Sequence, residues 1–595
     1  TPVSSELEIA EITDRMVKSK GGGKALLFEN TDKGFPVLTN LYGSERRMAM
    51  ALGVEQLGDI SERFDNLIGA VTSPKENLVD KLRLLPILGE ASQWFPRKKK
   101  GRGACQQVVL QGEEAKLSLL PILKCWPHDG GRFVTLPMVH TVDPVTGIRN
   151  VGMYRMQVFD DQTTGMHWHR HKTGARHYEG YKAQGRRMPV SVAIGGDPIY
   201  AYSATAPVPD NIDEYLLAGL LRGKPVRLVK CITNDIYVPE DCDFVIEGYV
   251  DPTEELTVEG PFGDHTGFYS LSDLYPRLHV TAITSRRDAV YPATIVGVPP
   301  MEDAYIAKAT ERIFLAPIRL AVQPEVRDLW MPIEGTAHNL AVISVESRYV
   351  GQAHKVAQSM WGAGQMMFNK YMIVASAEHN IRDFAMLGRL LRRADVERQV
   401  IRAEGILDVL DHATATCGFG GKLAFDLTGI DPYSEVEPIA VPRTAEPKGG
   451  VALFDTRFTE EYGLLILHAE ESRPVEVDVE AYLEHNNIRG VKYVALFDYQ
   501  AAGVMTPNDL LWLAMANSDP RRDVVRLKGG ELLLDARSKH PSVEGNPKRF
   551  PNVVMSSVET IKQVDERWAE YGLGEKLESP SRRYRKLWLS SKAEW

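Results

Sequence analysis

The sequence predicts a multidomain α/β (α+β) protein whose middle is a β-barrel or sandwich. Three observations carry that reading. Helical and strand-like segments alternate before about residue 120 and again after residue 317. Between them, short β-branched segments are separated by Gly, Pro and Asp. The 595 residues, 44% hydrophobic and 25% charged, are enough to bury several cores, which excludes disorder or a disulfide scaffold as the whole description. The expected divisions are 1–118, 119–316, 317–445, 446–545 and 546–595.

In the first division, residues 25–28 and 37–41 read as strands and 44–52 as a helix. The run Arg97-Lys-Lys-Lys-Gly-Arg102 reads as a solvated loop that could attract an anionic partner. The middle holds strand-like segments at 133–139, 151–158, 190–194, 226–231, 243–249, 277–283 and 293–296. One helix interrupts them at 211–222, with Asp210 or Asn211 available as N-cap. Beyond residue 317, strands at 340–344 and 371–375 alternate with helices at 354–361 and 382–393, which implies βαβ units. A weak repeat follows: Lys370-Tyr371-Met-Ile-Val resembles Lys492-Tyr493-Val-Ala-Leu, each followed by a helix and further strands. Duplication or independent use of a common pattern explains it equally well. The tail from Trp568 reads as helical, then basic and aromatic, and suited to packing on a neighbouring domain or subunit.

Charge and cysteine content narrow the function. Lys and Arg number 70 against 79 Asp and Glu, so the net charge of −9 argues against a general nucleic-acid binder. The five cysteines form no CxxC pair, which fits a reducing compartment and disfavours a thiolate zinc site. The opening stretch lacks a secretory apolar region and no segment approaches a membrane span, so a cytoplasmic protein is expected. Gly21-Gly-Gly-Lys24 lacks the phosphate-loop spacing, Gly418-Phe-Gly420-Gly421 lacks the last glycine of a dinucleotide fingerprint, and there is no HExxH.

Three clusters could carry chemistry. Asn150-Val-Gly-Met-Tyr-Arg155 is followed by His167-Trp-His169-Arg-His171, whose imidazoles would share one face of an extended segment. Stacked histidines on a polar rim are the plain reading; a metal or anion site, with Asn and carboxylate favouring a cation such as Mn²⁺, is the sharper one. Glu214 falls in the first turn of a helix, where the dipole favours an acid in any case. Glu259-Gly-Pro-Phe-Gly-Asp264-His-Thr-Gly267 holds two carboxylates five apart on a tight turn. They are either solvated or, beside Arg155, a pair whose pKa values are pushed apart for acid–base work.

These clusters resemble the UbiD family of reversible decarboxylases, which use prenylated FMN. The N-x-G-x-Y-R element is Asn150 to Arg155, and the E-G-P-F-G-D-x-x-G element is Glu259 to Gly267. The likeness runs in order from about residue 25 to 430, through Leu119-Leu-Pro-Ile-Leu-Lys-Cys-Trp-Pro127, Pro207-Val-Pro-Asp and Cys417-Gly-Phe-Gly-Gly-Lys422. It implies a split β-barrel flavin-binding domain at the centre. It further implies that Asn150, His171 and Glu214 bind Mn²⁺ at the cofactor phosphate, with a slip to His169 open. K⁺ would sit beside Glu214 and the carbonyls of Ala204, Thr205 and Ala206. Met153, Tyr154, Arg155, His167, Trp168, His169, Lys172, Thr173 and Lys422 would line the flavin. Arg155, Glu259 and Asp264 would be catalytic, with Asp264 as proton donor and Glu259 ionised, while the cofactor acts as electron sink for loss of CO₂.

The expected activity is decarboxylation of an aromatic or α,β-unsaturated carboxylic acid, such as a hydroxyaryl acid of quinone biosynthesis. A flavin prenyltransferase would supply the cofactor, and a homo-oligomer, dimer or hexamer, is expected. An ordinary FMN-binding reductase on a split barrel, or a subunit of a multi-component aryl carboxylase, are the alternatives. The 446–545 lobe exceeds the plain family pattern.

Overall fold

The computed structural model describes residues 2–72, 89, 91–336, 338–503, 505–540 and 549–595; the division expected at 545 lies outside them. Its centre is one curled sheet of β1 (Val108–Gln111), β2 (Phe133–Val134), β3 (Met138–Val142), β4 (Arg149–Met153), β5 (Met156–Asp160), β6 (Thr163–Gly165), β7 (Met188–Ile194), β8 (Phe244–Val250) and β9 (Arg277–Ser285). The strand order is β2-β5-β6-β9-β8-β7-β3-β4, with β1 on β9. All these pairs are antiparallel.

Connectivity forces the curl. Only Tyr154 and Arg155 separate β4, one edge of the sheet, from β5, which lies next to the other edge. A link that short spans at most roughly 10 Å. The edges must therefore nearly meet, and the chain crosses the seam at Tyr154 and Arg155. This corrects the single strand expected over 151–158, which breaks where the seam is crossed. The expected strand at 133–139 likewise splits into β2 and β3. Residues 293–296 form no strand; Tyr291–Pro292 instead pairs in parallel with Val37 and Leu38.

Alternation along the strands builds two cores, one on each side of the sheet. In β7, Met188, Val190, Val192 and Ile194 join Ile9, Ile12 and Met16 of helix Glu8–Val17, whereas Ala193 faces the other core. That second core includes Tyr202, Tyr215 and Leu221 from helices Pro198–Thr205 and Glu214–Arg222. The latter helix starts three residues after Asn211. Asp213 is its N-cap and accepts a bond from Tyr215 N, while Asn211 turns the chain in the left-handed region at φ 67°. Neither expected cap is the one used, because the left-handed turn ends the upstream path before the helix can begin.

Two five-stranded sheets follow. The first holds β10 (Val326–Trp330), β11 (Leu340–Val345), β12 (Tyr371–Ser376), β13 (Val400–Ile406) and β14 (Phe419–Leu427) in the order β10-β11-β12-β14-β13. The second holds β15 (Val451–Asp455), β16 (Leu464–Ala469), β17 (Tyr493–Phe497), β18 (Val524–Arg526) and β19 (Leu532–Asp535) in the order β15-β16-β17-β19-β18. Pairing sense also matches step for step: antiparallel, parallel, parallel, antiparallel. The sequence repeat thus corresponds to a repeated topology, with Tyr371 and Tyr493 each opening the central strand.

The second module and the tail grip the rest of the molecule. Lys370 Nζ donates to Ser518 O at 2.9 Å, and Gly421 N to Asp519 Oδ1 at 2.7 Å. Trp512 Nε1 donates to Thr266 O at 2.8 Å. The tail adds Val554 N to Gly267 O at 2.8 Å, and Asn552 O accepts from Tyr269 N at 3.1 Å. Its helix spans Val558–Arg567, upstream of the expected start at Trp568, and Asp565 takes the buried Arg15 guanidinium of the first helix at 2.7 Å. Among the described residues no helix is long and apolar enough to cross a membrane.

Candidate active site

Arg155 leaves the barrel seam with both β4 and β5 behind it, so its direction is set by the sheet. The Nε and Nη2 atoms donate to Glu259 Oε1 and Oε2 at 2.9 and 3.1 Å, and Nη1 to Asp264 Oδ2 at 2.5 Å. Ser270 Oγ takes a further bond from Nη2 at 3.0 Å, and the ring of Phe262 lies 4.7 Å beneath the guanidinium. Glu259 ends the short strand Thr257–Glu259 and is fully buried. Its turn is pinned by Gly260 N donating to Gln157 Oε1 and by Asp129, whose carboxylate accepts from Gly263 N, Cys125 N and Trp126 N.

The electrostatics follow from these contacts. Burial opposes the charge on Glu259, but Arg155 and His167 outweigh it and hold the carboxyl near 2. Burial also opposes charge on Asp264; the His265 hydrogen bond and Arg155 outweigh it and keep the group well below the usual carboxylate range. His265 touches Asp264 Oδ1 with both its backbone N–H, at 2.8 Å, and its ring Nδ1, at 3.0 Å. Burial would lower that imidazole, yet Asp264, then Asp303 and Asp408, raise it to about 9. Both acids are therefore ionised in the free protein.

The predicted histidine row is only partly a row. His167 is buried and Nδ1 meets Glu259 Oε2 at 3.0 Å, while its Nε2 lies 2.6 Å from His169 Nε2. With Nδ1–H given to the carboxylate, Nε2 of His167 accepts from His169. The segment leaves strand geometry after β6, so His171 does not share their face. It is exposed, and its ring packs on His169 and on Phe368 of the neighbouring α/β module.

Asn150 and Glu214 do come together. Asn150 Nδ2 reaches Tyr154 Oη at 3.4 Å, and Glu214 Oε2 accepts from Val151 N at 2.9 Å. Glu214 is buried and, among the described residues, its carboxylate has no ion pair; burial pushes it up to about 7. A buried carboxylate with no paired cation among the described residues, close enough to act on the Tyr154 hydroxyl that Asn150 bonds, suits a hard cation. Among the described residues no three His, Cys, Asp or Glu side chains are grouped to hold a metal on their own, and His171 makes its ring contacts elsewhere. Asn150 and Glu214 thus fit the cation, while His171 would have to reach them.

The remaining predicted residues come from several elements. Lys172 is the N-cap of helix Thr173–Ala183, whose Gly174 N points at Tyr154 Oη, 3.4 Å away. A helix N-terminus with a lysine on it suits a phosphate. Met153 closes β4, and Trp168 has its Nε1 buried without a partner among the described residues. Ala204 and Thr205 end helix Pro198–Thr205, with Ala206 as its C-cap. Lys422 comes from β14, is buried, and donates to Met367 O and Asn369 O on either side of Phe368. The positions sequence reasoning missed are His265, Ser270, Asp129, His338, Phe368 and Asp408. His265 was detectable, lying next to Asp264 in the quoted element; the others come from segments with no pattern of their own.

Three family models match this chain. The 3-octaprenyl-4-hydroxybenzoate carboxy-lyase N-terminal domain covers residues 1–66, the Rift-related domain 97–299 and the C-terminal domain 304–427. The chain belongs to the UbiD family. Like the family's other members it is a carboxy-lyase. An uncharacterised protein of Aquifex aeolicus is 48% identical over 433 residues, 72% of this chain and 87% of its own. One from Helicobacter pylori is 34% identical over 586 residues, 95% of this chain and 92% of its own, so its likeness extends through the second module. Among solved structures, the closed form of the vanillic acid decarboxylase of Sedimentibacter hydroxybenzoicus aligns with TM-score 0.62 at 25% identity, covering 76% of this chain and 92% of that one. The UbiD-class enzyme HmfF of Pelotomaculum thermopropionicum, in complex with FMN, aligns with TM-score 0.60 at 26% identity, covering 74% and 93%. The curled sheet and α/β domains of this UbiD-family chain match those structures.

Proposed function

We propose that the chain is a reversible decarboxylase of an aromatic or α,β-unsaturated carboxylic acid, working with prenylated FMN, Mn²⁺ and K⁺. A hydroxyaryl acid of quinone biosynthesis is the favoured substrate. The observation that carries the reading is one guanidinium gripping two ionised acids, with a buried Glu214 that has no ion pair among the described residues. An evolved form of HmfF is solved with prFMN, which supports the cofactor.

When bound, the prenylated flavin supplies the electron sink that loss of CO₂ requires. The chain does the rest. Asn150 and Glu214 would hold Mn²⁺, completed by His171 once it reaches them, and the ion would balance the phosphate charge. Carbonyls of Ala204, Thr205 and Ala206 serve K⁺, and Lys172, the Thr173 helix end and Lys422 favour the phosphate. Met153, Tyr154, His167, Trp168 and His169 form the bed for the ring. Arg155 keeps Glu259 ionised and orients Asp264, which passes a proton to the carbon that has lost CO₂.

A flavin prenyltransferase supplies the cofactor to this homo-oligomer, dimer or hexamer, in the cytoplasm. The test is co-expression with such a prenyltransferase, mass spectrometry of the extracted cofactor, and CO₂ release from a panel of carboxylic acids with deuterium uptake at the vacated carbon. Unmodified FMN with NAD(P)H oxidation and no CO₂ would overturn the reading.

A further inference from the structure

We propose that His265 is a positioning residue that supplies the proton of Asp264, an inference that rests on the decarboxylase reading. The argument is one of elimination at a single carboxylate. Among the described residues, the Asp264 oxygens meet Arg155 Nη1 at Oδ2, and the backbone N–H and ring Nδ1 of His265 at Oδ1. A guanidinium does not release a proton at any working pH, and a backbone amide does not either. The imidazole is the remaining contact that can. Both cations hold Asp264 ionised at rest, so a proton destined for substrate carbon has to be lent to Asp264 first.

The surroundings of His265 suit that duty. Its ring lies 6.2 Å from that of His338, and His338 Nε2 is 3.7 Å from Asp408 Oδ2. Asp303, at the start of helix Glu302–Ala321, adds a carboxylate whose Oδ1 is buried without a partner among the described residues. Asp264, Asp303 and Asp408 favour the imidazolium; His338, held neutral with a pKa near 4 chiefly by burial, scarcely opposes it. Lys18, Arg155 and Lys172 also bear on the acids around it. These groups come from different elements: the Asp264 turn, the Glu302–Ala321 helix, and the two loops of the first α/β module that carry His338 and Asp408.

The step balances. As the carbon vacated by CO₂ takes the proton from Asp264, a C–H bond forms and the carboxyl O–H breaks. That O–H was made from the Nδ1–H of the His265 imidazolium, which is left a neutral imidazole. Solvent then restores its proton from the side of His338, Asp303 and Asp408. No oxidant or reductant enters.

His265→Asn is the decisive variant, because its side-chain amide keeps a donor near the Nδ1 position yet delivers no proton. The first measurement uses the cofactor-free full chain with ¹³C-labelled histidines, the His265 signal being assigned by its loss in His265→Asn. His265 should titrate near 9 in the wild type and return toward 6.5 or below in Asp264→Asn. The second uses enzyme loaded with prenylated FMN. His265→Asn should lower kcat by about 100-fold or more, the usual scale for a lost proton-transfer group, with KM changed less than about 3-fold. It should also lose the alkaline limb near pH 9 and slow deuterium uptake in parallel. An ordinary or depressed His265 titration overturns the inference, as does an Asn variant with wild-type kcat and alkaline limb. Wild-type enzyme that releases no CO₂ from any acid sinks the decarboxylase reading alone, and the titration still decides His265.

Discussion

Arg155 is where charge and position coincide. Its guanidinium neutralises two acids that would otherwise repel, and all three side chains are nearly closed off from water. Breaking a buried pair by removing one partner costs about 3–5 kcal/mol. Arg155→Gln should lower unfolding free energy in urea by about that amount and abolish turnover; a variant as stable as wild type would show that the acids do not depend on it. The pH dependence has opposite signs at the two ends. Glu259 is lowered from 4.5 to about 2 when folded, so its contribution is present above pH 4.5 and is lost as pH falls toward 2. His265 is raised from 6.5 to about 9, so its contribution is full below pH 6.5 and is lost as pH rises through 9. Stability curves of wild type against His265→Asn should therefore converge between pH 6.5 and 9. A constant gap would show that the histidine does not titrate there.

At the scale of elements, short caps and close approaches place the site. Asp213 caps the helix that carries Glu214 and is also paired with Arg149. Asp213→Ala should cost about 1 kcal/mol for the cap, measured by urea denaturation, and loosen the first turn around Glu214. Gly421 lies under the loop of the second module: a Cβ there would meet Arg521 N at 2.2 Å and Asp519 Oδ1 at 2.7 Å. Gly421→Ala should destabilise by about 1–3 kcal/mol, the usual range for overpacking. Hydrogen exchange should localise the damage to β14 and the Asp519 loop. Unchanged protection would mean that the loop yields freely.

Over the whole molecule, the second module and tail act on the turn that follows Asp264 from outside the barrel. Trp512, Asn552 and Val554 bond to Thr266, Tyr269 and Gly267 respectively, three of the four residues from Thr266 to Tyr269, a stretch that starts two positions beyond Asp264. Trp512 also packs on Phe268, whose ring meets His412 and Phe550. Trp512→Phe keeps the bulk and loses one bond, worth about 1 kcal/mol. Amides of residues 264–269 should exchange faster in it with little change elsewhere. Equal exchange would assign the grip to packing alone. One core contains Phe268 and Leu423 together with Ile466, Trp512, Phe550 and Leu587, so the module and tail are part of the interior rather than an appendage.

The residue types did much by themselves. Alternating apolar positions determined β7 to β9, the helical spacing determined Phe384–Arg393, and the repeated Lys-Tyr-led strand pointed to two modules of like topology. Spacing alone left the carboxylates of Glu259 and Asp264 either solvated or paired; it was the resemblance of the two elements around Arg155 and Glu259 to the UbiD family that implied the acid pair before any geometry was known. Tertiary structure decided what local pattern does not encode. The strand break at Tyr154 and Arg155 follows from closing a sheet whose edges must meet. The place of His171 follows from a chain that leaves its strand after Gly165. The ionisation of Asp264 depends on which cations reach its two oxygens, and the part of His338, Asp408 and Trp512 on segments far apart in the chain that only packing brings to one turn.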